Sequence, residues 1–269
     1  MDYKHPNIVA YDDVENLKRF STESFEKYCQ NKLRECEAES EFIRNSIVDD
    51  KWEGKICEIG SGNSKLLYSL ESKQILKEGI GYEISASRHQ FAEKFRTYIG
   101  SKLVKNKNSD FLKGIPPENY DLILGVDIVF QFISPLYEQA EEDALKWIYT
   151  GLRNGGKLML ELRDFSDFGK QIAEAKNNIF QTWESYPISD PFEFVLAKLY
   201  YNSNQHLVWE KTFFERNTMN RSSFTNILKP YRKEEIKVLL EKNGFESVVI
   251  YDSTNSPVSD DVYLIVATK

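Results

Sequence analysis

The sequence predicts an α/β fold in which helices flank a mostly parallel sheet, and three observations support this prediction. Short apolar segments alternate with helical patterns between residues 55 and 162. The first of them runs into the glycine turn Gly60-Ser61-Gly62, and a helical pattern follows. The chain has 269 residues and is 41% hydrophobic, which suits one large α/β domain or one domain that carries an insertion. Strands that alternate with helices favour parallel neighbours joined by right-handed crossovers.

The predicted elements follow from local patterns, taken in chain order. Residues 13–48 are polar, with apolar or aromatic residues at intervals of three to five, which predicts amphipathic helices with a break near Ser21 or Asn31. The alternating part of the chain then predicts strands over 55–60, 79–84, 102–105, 120–126 and 157–162, and helices over 63–72, 86–98 and 135–152.

The alternation stops after residue 164 and resumes near residue 231. The insert between them, residues 165–230, predicts a helix near 167–180 and two β-rich segments joined by a hairpin turn at Asn202-Ser203-Asn204-Gln205. Thirteen of its residues are aromatic. After the insert we predict a helix over 233–242 and strands over 245–251 and 262–268.

Charge and hydropathy exclude several classes of partner. The chain has 35 Lys and Arg against 42 Asp and Glu, a net charge of −7, and its basic residues are scattered among acids. Because nucleic-acid binding depends on clustered basic residues, we expect no nucleic-acid partner. We also expect no membrane partner, since there is no apolar run of about 18 residues. The N-terminus lacks an apolar segment typical of a secretory signal, so we expect a cytoplasmic location.

The glycine turn is compatible with more than one ligand. Glycines let a ligand approach the backbone beside the amino end of a helix. The glycine spacing excludes a phosphate-binding P-loop. A dinucleotide-binding turn would need a third glycine where Lys65 stands, which weakens a nicotinamide oxidoreductase and leaves it open. Glu83, at the end of the second strand, is either a ribose ligand or a solvated acid.

Five motifs occur along the chain in a fixed order: Glu58-Ile59-Gly60-Ser61-Gly62, Tyr82-Glu83-Ile84, Ser109-Asp110-Phe111, Tyr120-Asp121-Leu122-Ile123 and Leu152-Arg153-Asn154-Gly155-Gly156-Lys157-Leu158. Together they resemble the successive motifs of the class I S-adenosylmethionine-dependent methyltransferases. The resemblance implies a Rossmann-like sheet of seven strands, of which the last is antiparallel. It also implies an N-terminal helical cover (1–50), a cofactor domain (51–164 and 231–269) and a β-rich lid insert after strand five (165–230).

The resemblance implies S-adenosylmethionine as cofactor, and it assigns the residues near the methionine part. The backbone at Gly60, Ser61 and Gly62 would meet that part, and Glu58 would shape the loop. Asp127, after the fourth strand, would line the pocket near the methyl group. Many members of the family have another glycine after the second one. This chain has Asn63-Ser64 there, so we expect a loop that turns on two glycines.

The resemblance also assigns the residues around the nucleoside. Glu83 would bind the ribose hydroxyls, and Ile84 would pack on the adenine. Asp110 would accept a hydrogen bond from the adenine amino group, with Phe111 beside the ring.

The insert is the main indication of the methyl acceptor. Its basic and acidic residues balance and its aromatic content is high, which favours a small molecule. The Asp-Ile-Val-Phe sequence that begins at Asp127 lacks the prolines typical of enzymes that methylate bases or glutamine amides. An insert of this kind resembles those of small-molecule N- and O-methyltransferases. Candidate substrate contacts are Tyr11, Gln131, Arg163 and Asp164.

Methyl transfer from a sulfonium needs mainly alignment of the acceptor and exclusion of water. The sequence therefore predicts an enzyme that moves a methyl group to O or N of a small metabolite, with no assigned base and no metal. Besides the nicotinamide oxidoreductase already mentioned, two alternatives stay open at this point. One is a cofactor-binding regulator or partner subunit without turnover, and the other is a protein-directed methyltransferase, which would need an open groove.

Overall fold

The computed structural model describes residues 5–9, 17–116, 118–188, 190–218 and 220–269. Its strands are β1 (Lys55–Ile59), β2 (Glu78–Glu83), β3 (Val104–Asn108), β4 (Tyr120–Gly125), β5 (Leu152–Arg163), β6 (Phe180–Ser185), β7 (Phe192–Tyr201), β8 (Leu207–Glu215), β9 (Arg221–Leu228), β10 (Glu246–Tyr251) and β11 (Val262–Thr268). They form a seven-stranded sheet with the order β10-β11-β5-β4-β1-β2-β3 and a four-stranded sheet with the order β6-β7-β8-β9. We call the second of these the lid sheet.

The α-helices are α1 (Pro6–Val9), α2 (Thr22–Glu35), α3 (Glu37–Ser46), α4 (Lys65–Ser72), α5 (Ala86–Ile99), α6 (Val129–Ile133), α7 (Ala140–Gly151), α8 (Ser166–Glu174) and α9 (Lys233–Lys242). A break lies at Ser21, as one of the two predicted positions has it, between a short 3-10 helix (Leu17–Arg19) and α2, and a second break lies at Cys36 between α2 and α3, whereas Asn31 is inside α2. Ser21 caps α2, because its side chain accepts a hydrogen bond from the backbone N–H of Ser24. None of the described helices is both long and apolar enough to cross a membrane.

The topology of the large sheet confirms the predicted fold. Strand β11 runs antiparallel to both of its neighbours, β5 and β10. The other six strands share one direction, because β4 pairs in parallel with both β1 and β5, and β2 pairs in parallel with β1 and β3. Strands β2 and β3 lie on one side of the adjacent pair β1 and β4, and the later strands β5, β11 and β10 lie on the other side. In open α/β sheets a ligand crevice forms at such a point, beyond the carboxyl ends of the strands.

Helices cover both faces of the large sheet. Successive residues of β1 point to opposite faces, so that Ile56 packs in the cluster that contains Phe91 of α5, and Cys57 packs in the cluster that contains Trp147 of α7 and Ile236 of α9. All five side chains are buried. The sheet is therefore buried on both faces, which explains why its inner strands are almost continuously apolar.

Two of the sequence motifs fasten the amino ends of the central strands. The buried Asp121 carboxylate accepts hydrogen bonds from the backbone N–H groups of Glu53 (3.1 Å) and Lys55 (2.9 Å). Its other oxygen accepts one from Arg153 Nε at 2.6 Å, and the same guanidinium pairs with Asp49 at 3.0 Å. These contacts fix β1, β4 and the start of β5 relative to one another, at the end of the sheet opposite the crevice.

The insert forms α8 and the whole lid sheet. Strands β7 and β8 and the turn between them agree with the prediction, whereas β6 and β9 were missed. Strand β6 is exposed along most of its length and β9 begins with the polar run Arg221-Ser222-Ser223. Neither strand has an apolar alternation of its own, and both depend on pairing with β7 and β8.

Candidate functional site

The turn between β1 and α4 is built from three left-handed residues. Gly60 (φ 59°), Gly62 (φ 55°) and Ser64 (φ 59°) alternate with Ser61 and Asn63. A Cβ atom at Gly60 would collide with the Val129 side chain, so this position needs glycine on steric as well as conformational grounds. The turn therefore presents backbone to the crevice, at the amino end of α4.

Ser64 corrects the expectation that this loop turns on two glycines alone. It takes the third left-handed conformation itself, and its fully buried hydroxyl donates a hydrogen bond of 2.8 Å to Asn106 Oδ1 on β3. That bond compensates in part for a conformation which L-residues other than Asn and Asp seldom adopt.

Glu83 holds the loop in place from the end of β2. Its buried carboxylate accepts hydrogen bonds from the backbone N–H groups of Gly62 (2.8 Å) and Ser85 (2.7 Å). Ser85 in turn caps α5, because its hydroxyl accepts a hydrogen bond from Arg88 N–H. Glu83 is therefore a buried, structured acid at the mouth of the crevice, and the interpretation as a solvated strand-end acid is wrong.

A narrow apolar slot of about 90 Å³ opens beside Glu83. Ile84, Phe111 and Leu136 line it, together with Asp110. Asp110 Oδ1 accepts a hydrogen bond from Leu112 N–H at 3.1 Å. Oδ2 is buried and has no hydrogen-bond partner within the described part of the chain, and burial raises the pKa of this carboxyl. A buried acceptor without a donor in an apolar slot is a suitable partner for an amino group.

The other end of the crevice is a polar cavity of about 360 Å³. Asp127 and Lys65 form an ion pair across it with N–O distances of 3.0 and 3.3 Å. The lysine's charge holds the pKa of Asp127 below its usual value. The Asp127 side chain keeps 61% of its surface exposed, and Lys32 and Arg88 line the same cavity. This end can therefore accommodate a ligand that carries both charges.

The backbone at Asp127 is strained. Asp127 (φ 52°) and Ile128 (φ 57°) are both left-handed, which is unfavourable for a β-branched residue such as isoleucine. The two residues turn the chain from β4 into α6 and place the Asp127 carboxylate in the cavity.

Glu58 lies beneath the loop and does not line the cavity. It is buried, its Oε2 has no hydrogen-bond partner among the residues with described positions, and burial raises its pKa well above the usual range. Two further acids lie near the Asp127–Lys65 pair. Burial raises the pKa of Glu161 on β5 to about 7 and that of Glu39 on α3 to about 8.

The slot and the polar cavity share a wall and form one crevice along the carboxyl ends of β1, β2 and β4. Gly60, Ile84, Val129 and Phe132 line both. The fifth shared residue is Asn7 of α1, which our sequence analysis missed. No sequence pattern marks a short polar residue in an N-terminal arm as part of a distant site.

Asn7 ties α1 to two other elements. Its Nδ2 donates to the carbonyl oxygens of Phe132 (2.8 Å) and Ile227 (2.5 Å), and its Oδ1 accepts from Ile227 N–H at 2.6 Å. The N-terminal segment is thereby held across the crevice against α6 and the lid strand β9. Tyr11, the substrate contact predicted in this segment, lies outside the described residues.

The other three predicted substrate residues occupy different environments. Gln131 is fully buried, and its amide bonds the backbone of Arg163 and Lys229, which leaves it no surface for a substrate. The Asp164 carboxylate accepts a hydrogen bond from the N–H of Ser166 at the start of α8. Arg163 alone of the three lines a cavity.

That cavity, of about 450 Å³, lies between α8 and the inner face of the lid sheet, and we call it the lid cavity. Five aromatic side chains line it: Phe168, Phe180, Trp183, Tyr186 and Trp209. Its charged residues are Arg163, Glu184 and Lys211. The sequence analysis did not name Lys211 as a site residue. A signal was present, because Lys211 stands between Trp209 and Phe213 among the inward-facing residues of β8 and interrupts their apolar series.

Metal ligands are not grouped in this structure. Among the residues that it describes, no three His, Cys, Asp or Glu side chains come together in a way that could hold a metal ion. Asp127 pairs with Lys65, and Asp164 accepts a hydrogen bond from Ser166 N–H, so both carboxylates have protein partners.

Comparison with known proteins gives structural relatives only. No protein-family model matches the chain, and no curated protein matches it in sequence. An S-adenosylmethionine-dependent methyltransferase from Clostridium acetobutylicum is 15% identical over 96% of both chains, with a TM-score of 0.66. The CcbJ methyltransferase of Streptomyces caelestis is 13% identical over 87% of this chain and 88% of its own, with a TM-score of 0.68.

A third similar structure is an amino pentose methyltransferase from Micromonospora echinaspora, involved in calicheamicin biosynthesis and solved with S-adenosylmethionine bound. It is 13% identical over 93% of this chain and 97% of its own, with a TM-score of 0.63. Identities this low establish the fold and nothing finer. The structural similarities confirm, at the level of the fold, the resemblance seen in the sequence motifs. The chain has the Rossmann-like fold of the class I S-adenosylmethionine-dependent methyltransferases, with a lid sheet inserted after β5.

Proposed function

We propose that this protein is an S-adenosylmethionine-dependent methyltransferase that acts on a small molecule. The observation that carries the proposal is Asp110, which lines a mostly apolar slot and whose buried Oδ2 has no donor among the described residues. A flat ring with an amino group satisfies both properties of the slot, and adenine is such a group. Because the slot opens beside Glu83 at the switch point of the sheet, the rest of a nucleoside would lie over that acid.

The remaining residues fit the rest of the cofactor. The adenine ring would lie between Ile84 and Phe111. An ionised carboxylate has about four acceptor sites. Glu83 accepts from Gly62 and Ser85 at the end of β2, and in this proposal the same carboxylate also accepts the ribose hydroxyls. The amino acid end of the cofactor carries one positive and one negative group, which would meet Asp127 and Lys65 in the polar cavity.

Bound S-adenosylmethionine would supply an activated methyl group on a sulfonium. The chain's own residues would then position the acceptor and exclude water, which are the main requirements of an in-line displacement. The strained backbone at Asp127 and Ile128 holds one wall of the crevice in a defined place. Asn7 closes the opposite side by joining α1 to α6 and β9.

The lid cavity supports a small-molecule acceptor. It is an aromatic-lined cavity beside the carboxyl end of β5, next to β4, the strand that precedes Asp127. Its volume of about 450 Å³ suits a small molecule better than a segment of a protein acceptor, although the cavity is open along β6. In this proposal residues 165–230 form the lid over the acceptor, residues 51–164 and 231–269 bind the cofactor, and residues 1–50 cover the crevice.

Lys65 argues against a nicotinamide cofactor. It occupies the position where a dinucleotide-binding turn has its third glycine, and its side chain is committed to the ion pair with Asp127. The space beside the turn is thus filled by charged groups where a pyrophosphate would need close backbone approach.

Calorimetric titration with S-adenosylhomocysteine tests the proposal. We expect binding by the full chain, and affinity lower by about tenfold or more in Asp110→Ala, because a hydrogen bond to a charged acceptor is lost. Asp167→Ala removes an exposed acid of α8 and should leave affinity unchanged. Equal affinities in Asp110→Ala and the native chain would contradict the proposal, as would tighter binding of a nicotinamide dinucleotide than of S-adenosylhomocysteine.

A further inference from the structure

We infer that the methyl acceptor is an organic acid whose anionic group, a carboxylate or a phosphate, binds to Arg163 and Lys211 in the lid cavity. The inference deepens the proposed function, since it takes the lid cavity as the acceptor site. Its binding component stands on the cavity alone and can be tested without the cofactor.

Two cations share one wall of the lid cavity. Lys211 faces inward from β8, in register with Ala197 on β7 and Phe224 on β9. Its Nζ lies 3.6 Å from the centroid of the Trp209 ring. The guanidinium of Arg163, at the end of β5, lies 5.8 Å from the same centroid. The indole ring therefore has one cation from the lid sheet and one from the large sheet beside it.

Hydrogen-bond donors are in excess on this wall. Arg163 pairs through Nη2 with Asp261 at 2.5 Å, but its Nε is buried and has no acceptor within the described ranges. Trp209 Nε1 is likewise buried without an acceptor in the part of the chain that is described. Lys211 makes ring contacts and no hydrogen bond or ion pair to any described residue. Buried donors usually have partners, so two without one, next to the half-buried ammonium of Lys211, indicate a site for an acceptor-rich group.

Electrostatics agrees with this assignment. Burial, and then the charges of Arg163 and Arg88, lower the pKa of Lys211 to about 7, and Glu184 opposes them weakly. An anion placed between Arg163 and Lys211 would offset both the burial and the repulsion. It would restore the charge of the lysine, and a charge-assisted contact would form.

The remaining walls of the lid cavity indicate what kind of molecule can carry the anionic group. Phe168, Phe180, Trp183 and Tyr186 form its other walls, so an apolar or aromatic body fits beside the anionic group. Strand β6, which carries Thr182 and Glu184, is exposed, and the cavity is open on that side. A volume of about 450 Å³ suits a small molecule.

The cavity adjoins the cofactor crevice. Ile128 and Phe132, of the wall that separates them, pack in the same cluster as Phe165 and Trp209. Arg88, which lines the crevice, acts electrostatically on both Asp127 and Lys211. An acceptor anchored at Arg163 and Lys211 would reach the methyl end of the crevice past the Ile128 and Phe132 side chains.

The experiment compares charged and neutral probes of similar size, of which phenylacetate and phenylacetamide also share one shape. Phenylacetate, phenylphosphonate and the neutral phenylacetamide are titrated into the full chain by calorimetry, with and without S-adenosylhomocysteine. We expect at least one acid to bind about tenfold or more tightly than the amide, and the better acid identifies the class of anion. Lys211→Met and Arg163→Met should each abolish this preference. Lys198→Met, on the outer face of the same sheet, should retain it.

Three outcomes would overturn the inference: no acid preferred over the amide, a preference that survives in Lys211→Met, or a preference that is lost equally in Lys198→Met. Thermal unfolding of each variant identifies any loss of fold. Failure of S-adenosylhomocysteine to bind would count against the proposed function only, because the probes are also titrated without it.

Discussion

Ser64 shows how a single residue replaces an expected feature of the cofactor loop. The loop needs a third left-handed residue before α4, and this chain places a serine there. Left-handed backbone costs an L-residue about 1 kcal/mol or more. The hydrogen bond from Ser64 to Asn106 returns a similar amount, about 1 kcal/mol. The position is therefore close to balance, and the sequence motif alone could not reveal it.

This balance predicts that two small substitutions of Ser64 differ in their effect on stability. Ser64→Gly loses the hydrogen bond but removes the strain, so its free energy of unfolding should stay within about 1 kcal/mol of the native value. Ser64→Ala loses the bond and keeps the strain, so it should be about 1–2 kcal/mol less stable than the native chain. Urea denaturation measures both. Equal destabilisation by the two variants would show that the left-handed backbone carries no cost.

Glu161 and Glu39 predict an unusual pH dependence of stability. Folding raises their pKa values from 4.5 to about 7 and about 8, because both are buried near other acids. The folded chain then retains protons that the unfolded chain loses. Their contribution to the free energy of unfolding is complete below pH 4.5 and declines as the pH rises toward 8.

Glu161→Gln imitates the protonated form and tests this directly. We expect the variant and the native chain to unfold at similar denaturant concentrations near pH 4.5, and the variant to be the more stable one near pH 8. The exposed Glu118→Gln controls for the change in net charge. Parallel stability curves for Glu161→Gln and the native chain would contradict the burial of this carboxyl.

At the scale of elements, the short helix α1 connects parts that are far apart in sequence. Asn7 bonds the backbones of Phe132 on α6 and Ile227 on β9, and it lines both parts of the crevice. The four apolar core clusters of the described residues include elements of both sheets and no residue of α1. The helix α1 is thus attached by the hydrogen bonds of Asn7 and by one buried apolar side chain, Ile8.

Loss of that attachment should affect release of the cofactor more than folding. For Asn7→Ala we expect S-adenosylhomocysteine to dissociate about tenfold faster, since three hydrogen bonds that close the crevice are lost. The midpoint of thermal unfolding should change little. Stopped-flow fluorescence measures the release rate, and Val9→Ala, an exposed position in the same helix, is the control. Equal release rates in the two variants would mean that α1 does not close the crevice.

At the scale of the whole molecule, the sequence predicts the elements that have strong local patterns and misses those that depend on distant partners. Strands such as β1 and β4, buried on both faces, and the glycine turn are local and were predicted within a few residues. Strands β6 and β9 depend on pairing with distant partners. Asn7 and Lys211 line the candidate sites because of contacts between distant parts of the chain. Gln131 lines neither site, because its side chain bonds to the backbone, and no sequence pattern predicts such contacts.

The most direct measurement of the central claim is transfer of a deuterated methyl group. The full chain is incubated with methyl-labelled S-adenosylmethionine and a filtered mixture of small organic acids and neutral metabolites, and the products are analysed by mass spectrometry. We predict S-adenosylhomocysteine formation above the enzyme-free blank and a labelled methyl group on a small molecule, both reduced in Asp110→Ala. Absence of S-adenosylhomocysteine formation, or label found only on protein, would contradict the account.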